Sequence, residues 1–399
     1  MFCYTQIVAA SIHKNTRLLT WFNLFEDFRP YHPIEVLYFF QVTGSFALSL
    51  LILSIYTLSS SIFEVPTGVL SDMIGRRKTI ILGSLSATIG LILYAIGGSF
   101  WILAAGAVVG GLARSFFSGN NEALLHDSLA QEGKEGEYAE FLGRTSSMFQ
   151  IGLAMSALLG GFIANVSFGW VLWLSVIPQF TCFLLSFRFI EPKVHVEKTT
   201  NVFHHLKGAL KRFKENYKLR TLSLASIIDY GIGQTMHPFS SVFVATLWPI
   251  WGVGIYSFLN HFFAFISFWF AGRVIKKFNA LKTLLGGKAL SNVLNLIAYG
   301  YPTILSPIIV PITSLFFGFK TTAENSLMQK EFTNEQRATM GSINAFGGNL
   351  FFAIFAFAFG LAADRLGPAR SLLVGEILLV PLLILYWKLF SHDRKIRSV

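Results

Sequence analysis

Apolar runs of roughly 20 residues recur along nearly the whole chain, and they leave few folds open. A helix that crosses a bilayer needs about 20 mostly apolar residues, because the hydrocarbon core is about 30 Å thick. Residues 46–70, 79–98, 101–119 and 371–389 meet that length. Inside a bilayer no water satisfies exposed backbone groups, so such runs must become helices or closed-barrel strands. Barrel strands alternate apolar and polar residues. These runs do not, so the chain is expected to be an all-α membrane protein. Charged residues make up only 13 % of its 399 positions, well below the quarter or so usual in soluble domains. The net charge of +11 is no nucleic-acid signal here, since the basic residues sit in short loops between spans, where they report orientation.

Apolar periods and their breaks place about twelve spans. They fall near 18–43, 45–70, 79–98, 100–127, 145–166, 168–190, 219–248, 251–275, 280–301, 303–328, 338–363 and 368–390. Lys14 and Arg17 precede the first span, Arg76, Arg77 and Lys78 follow the second, and Arg273, Lys276 and Lys277 end the eighth. Arg394, Lys395 and Arg397 close the chain. Basic residues concentrate on the cytoplasmic side, so both termini are expected there. The only long polar stretch, 191–218, includes a basic amphipathic piece at 202–217. It is expected to be a cytoplasmic linker between an N-terminal six-helix bundle, 1–190, and a C-terminal one, 219–399.

The halves repeat. Gly68, Lys78, Thr79 and Gly83 recur as Gly272, Lys282, Thr283 and Gly287, each 204 residues further on. Parallel halves of this kind belong to transporters whose solute site lies between them near mid-membrane.

The stretch after the second span reads Gly68-Val-Leu-Ser-Asp72-Met-Ile-Gly75-Arg76-Arg77-Lys78. It resembles the signature loop of the major facilitator superfamily: glycine-x-leucine-alanine-aspartate-arginine-x-glycine-arginine-arginine/lysine. Gly68 is expected to permit close helix packing, Gly75 a tight turn, and Asp72 to accept from a cation or a helix N-terminus. In the family this loop latches the halves together on the cytoplasmic side. The second-half copy has Lys276 where Asp72 would fall, so its latch is expected to be weaker. In span four, Ser118-Gly-Asn-Asn-Glu122-Ala-Leu-Leu-His-Asp127 resembles a run of a bacterial branch of the superfamily. The arginine of that branch would fall near Ala107; Arg114 lies seven residues on and nearly on the same face. In span five, Gly152, Ser156 and Gly160 resemble a degenerate exporter motif, and small residues spaced by four permit close helix crossing. The resemblance implies twelve helices in two pseudo-symmetric six-helix bundles, multi-pass in a bacterial inner membrane. It also implies a monomer, surrounded by lipid, that moves a small-molecule substrate.

Charges within the spans single out candidate site residues. Glu26, Asp27, Arg29, His32 and Glu35 crowd the first span beside Pro30 and Pro33. From Pro30 to Thr43 is about 14 residues, or ~21 Å of helix, too short to cross, so the charged run must lie largely at membrane depth. Charges there are costly unless paired or facing a wet cavity, and are functional candidates by default. Glu26 with Arg29, and His32 with Glu35, stand at i,i+3 and are in reach of pairing. One reading is mutual neutralisation; the other is that a carboxylate gains and loses a proton during transport, with Glu35 and Asp27 as first choices and Glu26 and Asp229 behind them. The cavity candidates are Arg29, His32, Arg114, Glu122, Tyr230, Gln234, His237, Asn260, Lys320, Glu324 and Asn349. For any single histidine or asparagine, an interhelical hydrogen bond is the plainer reading.

No nucleotide-binding loop, zinc motif or nucleophile elbow appears, so no enzyme activity, metal or cofactor is expected, and energy must come from a gradient. The leading expectation is a proton-coupled carrier exporting an amphipathic or drug-like compound. The alternative is uptake of a charged nutrient such as an organic acid, amino acid or siderophore.

Overall fold

The computed structural model describes residues 2–131, 133–192, 216–329 and 337–397. Among them every regular element is helical, and the helices fall on the expected spans. The second to ninth, the fourth aside, run Phe46–Ile74, Arg76–Ile96, Tyr138–Ala164, Phe168–Ser186, Tyr217–Ala245, Ile250–Phe278 and Ala280–Gly300. The eleventh and twelfth are Arg337–Leu366 and Pro368–Arg397. The fifth and twelfth extend beyond their apolar runs, because a polar helical turn outside the bilayer costs nothing that hydropathy records. Most of the expected linker, 193–215, lies outside the described residues.

Three spans are split. The first is Phe2–Glu26, an irregular stretch through Tyr31, a 3-10 turn His32–Ile34 and the helix Glu35–Thr43. Pro30 and Pro33 withhold their N–H groups there. The fourth span divides into Phe100–Phe117 and Asn120–Gln131, with Gly119 at φ +70° between them. The tenth comprises Ser306–Ile312, a 3-10 turn Thr313–Phe316 and Phe317–Gln329. Among the described residues seven segments, the fourth span taken whole, are long and apolar enough to cross a membrane by themselves. Of the other spans, the first and tenth are split, the seventh and ninth carry polar and charged residues such as Asp229 and Lys288 that lower their hydropathy, and the fifth shows a shorter apolar stretch, Ile151–Ala164, among the described residues.

The chain forms two compact units: Met1–Gly44 with Ile52–Lys198, and Ser45–Leu51 with Thr199–Val399. Leu19, Phe22, Ile80, Phe117, Leu124 and Phe189 form the core of the first. Leu219, Leu222, Leu284, Ala323, Leu382 and Tyr386 belong to that of the second. In the second unit Asp364 caps the start of the Phe46–Ile74 helix. Its carboxylate accepts from the N–H of Phe46 at 2.6 Å and of Ala47 at 3.3 Å, and from Ser45 Oγ at 2.6 Å.

Candidate functional site

The break in the first span leaves backbone groups without helical partners, and the sixth span supplies them. Gln179 Nε2 donates to the carbonyls of Glu26 at 2.7 Å and Phe25 at 3.3 Å. Ser175 Oγ accepts from the N–H of Tyr31 at 3.2 Å, and Cys182 Sγ approaches the Phe22 carbonyl at 3.5 Å. Ser175, Gln179 and Cys182 are spaced by four and three residues, so one helix face meets the unwound segment. From the other side, the fifth span brings small residues against it. A Cβ on Gly152 would fall 2.6 Å from the Leu24 carbonyl oxygen, and one on Gly160 would collide with the carbonyl of Pro30. The exporter-like spacing in the fifth span therefore accommodates the unwound backbone of the first.

The segment so held opens onto a cavity of about 730 Å³ within the first unit. Glu26, Asp27, Arg29, His32, Arg114 and Glu122 line it, with Tyr31, Tyr56 and Tyr94 among its aromatic walls. Of the candidates named from the sequence in spans one and four, only Glu35 lies outside those walls. It is buried at the first turn of the helix Glu35–Thr43, where the positive end of the helix dipole favours a carboxylate. The Glu26–Arg29 ion pair that the spacing left within reach is not formed. Arg29 Nε donates to the backbone carbonyl of Glu26 at 2.8 Å, and its ion pair is with Asp27 at 4.0 Å. Unwinding after Glu26 removes the i,i+3 geometry on which that pairing relied. The Glu26 carboxylate instead accepts from Asn121 Nδ2 at 3.2 Å.

The signature loop is a second cluster in the same unit. Arg76 pairs with Asp72 at 3.0 Å, lies 3.7 Å from Asp127 and donates to Ser71 Oγ at 2.9 Å. Gly75 turns the chain at φ +95°, a conformation that glycine adopts without strain. The Glu191 carboxylate accepts from the N–H groups of Arg76 at 2.6 Å and Arg77 at 2.8 Å, capping the Arg76–Ile96 helix. Arg77 Nη2 donates to the Phe187 carbonyl at 2.8 Å. Gly68 does not take the expected role: a Cβ there would meet no atom within 4 Å, whereas one on Gly111 would run into the Tyr56 carbonyl oxygen, Ser59 Cβ and the Ser60 nitrogen.

The second unit holds a third cluster, only partly anticipated. Lys288 Nζ pairs with Asp229 at 2.6 Å and lies 5.1 Å from the Tyr386 ring centroid. Tyr386 donates to Glu324 at 2.5 Å. Glu376 accepts from Asn295 Nδ2 at 3.1 Å and, with the Asn292 amide turned to satisfy its bonds, from Asn292 at 3.0 Å. Lys320 lies across Gly287, where a Cβ would come within 2.8 Å of its stem. Asp229, Lys320 and Glu324 were named from the sequence. Lys288, Glu376 and Tyr386 were not, although Lys288 and Glu376 are charges inside apolar spans and so carried the same signal.

The other candidates in this unit divide. Tyr230 donates to Asn349 at 3.1 Å. Gln234 and His237 stand exposed on the same helix, three and four residues apart along the face that Tyr230 begins. Asn260 is buried and accepts from Ser314 Oγ at 2.8 Å while donating to the Tyr256 carbonyl at 3.0 Å. With Ser267, which accepts from the Phe319 N–H at 3.1 Å, it serves the break in the tenth span as Ser175 and Gln179 serve the first. Among the described residues no group of histidine, cysteine, aspartate or glutamate side chains is placed to hold a metal ion.

Interrupted helical spans with ionisable side chains packed among them are a pattern seen in multi-pass transporters. The sequence model of the Major Facilitator Superfamily matches residues 33–356, and the chain belongs to that family. It is similar to the class B tetracycline resistance protein of Escherichia coli, 26 % identical over 29 % of this chain and 28 % of that protein. It is also similar to the quinolone resistance protein NorA of Staphylococcus aureus, 24 % identical over 75 % of each chain. Among solved structures, a D323A mutant of the nucleoside transporter NupG superposes with a TM-score of 0.82 at 13 % identity, covering 94 % of this chain and all (100 %) of that one.

Proposed function

We propose that the protein is a proton-coupled secondary carrier that exports an amphipathic, drug-like compound by alternating access. One observation carries this reading. The first unit's cavity gathers three carboxylates, Glu26, Asp27 and Glu122, against two guanidinium groups, Arg29 and Arg114. With all five ionised, one negative charge is left over. A proton neutralises it, and so does a cationic head on a compound whose apolar part rests on Tyr31, Tyr56 and Tyr94. Two cations that compete for a single excess charge exchange for one another, which is antiport. The likeness to two drug-resistance proteins supports export. The working arrangement is a monomer in a bacterial inner membrane with both termini in the cytoplasm.

The test is flux into proteoliposomes of a fluorescent cationic amphiphile under an imposed pH gradient. Flux that runs against the proton gradient and loses its dependence on it in Asp27→Asn and Glu26→Gln supports the reading. Flux indifferent to the gradient overturns the coupling. The presence of Arg29 and Arg114 in the same cavity favours a second reading, uptake of a charged nutrient. Accumulation of an organic anion driven by an inward proton gradient, with no amphiphile export, would establish it instead.

A further inference from the structure

A groove on the first unit takes no part in the cavity or the latch cluster. It encloses about 510 Å³ between Lys14, Arg17, Leu18, Trp21 and Phe25 of the first span and Leu185 and Arg188 at the end of the sixth. The first-span residues recur at spacings of three and four, so they form one stripe down the helix. The three cations are exposed, Trp21 is 50 % exposed, and among the described residues none that lines the groove is a carboxylate. The stripe is graded, with charge at one end and apolar side chains at the other. From Lys14 to Phe25 it runs ~17 Å along the helix, close to the ~15 Å hydrocarbon depth of one leaflet. The span breaks just beyond Phe25, so the apolar end stands near mid-membrane and the cationic end at the interface.

We propose that this groove binds an anionic phospholipid. The phosphate sits against Lys14, Arg17 and Arg188, and one acyl chain lies along Leu18, Trp21, Phe25 and Leu185. Basic residues at a membrane surface attract anionic headgroups, and the apolar trough below them is what separates a lipid from a free anion. A second copy of this chain is a poor occupant, because a two-fold contact here would set like charges face to face. Arg188 directly follows Phe187, whose carbonyl accepts from Arg77, so the headgroup lies beside the latch cluster.

Native mass spectrometry of the full chain, released from detergent with phosphatidylglycerol or phosphatidylcholine, tests the proposal. Three cations at about a factor of five each in affinity predict phosphatidylglycerol retained roughly a hundredfold more, with the preference lost in the K14Q/R17Q/R188Q variant. Millimolar inorganic phosphate is expected to leave the lipid in place. Equal retention of the two lipids, or displacement by phosphate, overturns the proposal. Photolabelling of the unaltered protein with a phosphatidylglycerol carrying a reactive acyl chain decides the matter if the variant fails to fold. Label on the segments that contain Trp21 and Leu185 supports the site, and label confined elsewhere overturns it.

Discussion

Gly160 presents its bare Cα to the carbonyl of Pro30, leaving no room for a side chain between them. The contact fixes where the unwound stretch of the first span lies, and with it Glu26, Asp27 and Arg29. Gly160→Ala forces that backbone away, and overpacking of this kind costs about 1–3 kcal/mol. The expected outcome is a lower melting temperature in detergent and loss of solute flux. Gly68→Ala, where nothing lies within 4 Å, is expected to change stability by less than about 0.5 kcal/mol.

Lys288 and Asp229 form an ion pair in which the lysine is 6 % and the aspartate 33 % exposed. Removing one partner of a fully buried pair costs about 3–5 kcal/mol; the partial exposure of Asp229 lowers this to about 2 kcal/mol for Lys288→Met. The double variant K288M/D229N leaves no unmatched charge in the pair and is expected to regain most of the loss. Thermal unfolding of the two variants and the unaltered protein, read by recovery of the monodisperse species, checks the order.

Glu191 caps the Arg76–Ile96 helix through two N–H groups. Glu191→Ala removes both acceptors at a cost of about 1–2 kcal/mol, while Glu191→Gln keeps one. Hydrogen exchange at the amides of Arg76 and Arg77 should quicken more in the alanine variant than in the glutamine variant. Equal protection in all three proteins would remove Glu191 as the cap of that helix.

Asp364 holds the N–H groups of Phe46 and Ala47. Asp364→Ala is expected to cost about 1–2 kcal/mol and to expose those two amides to exchange, with little change at Arg76. Asp364→Asn, which keeps an acceptor, should fall between the alanine variant and the unaltered protein.

The spans were legible in the sequence because a bilayer demands about 20 apolar residues in a row, and the helices found match that reading to within a turn or two at most ends. Pro30 and Pro33 announced the split in the first span. The split in the fourth went unseen: the polar run Asn120-Asn121-Glu122 after Gly119 reads as a site within one helix rather than as a break. Lys288 and Glu376 in the ninth and twelfth spans carried the same cost of burying a charge but were not among the candidates. Glu191 was read as the first residue of a polar linker. Its partnership with a loop more than a hundred positions away is a tertiary fact that no local pattern encodes.

The Lys288–Asp229 pair also governs how the second half of the chain enters the membrane. A lysine near the centre of a helix costs about 3 kcal/mol on insertion, and an aspartate costs much the same. The seventh span is made first and brings Asp229 to the lipid unmatched; the ninth follows with Lys288. Each residue makes insertion of the other span less unfavourable, so the two helices behave as linked cargo of the translocation machinery. A nascent chain halted between them would leave a lone carboxylate facing hydrocarbon.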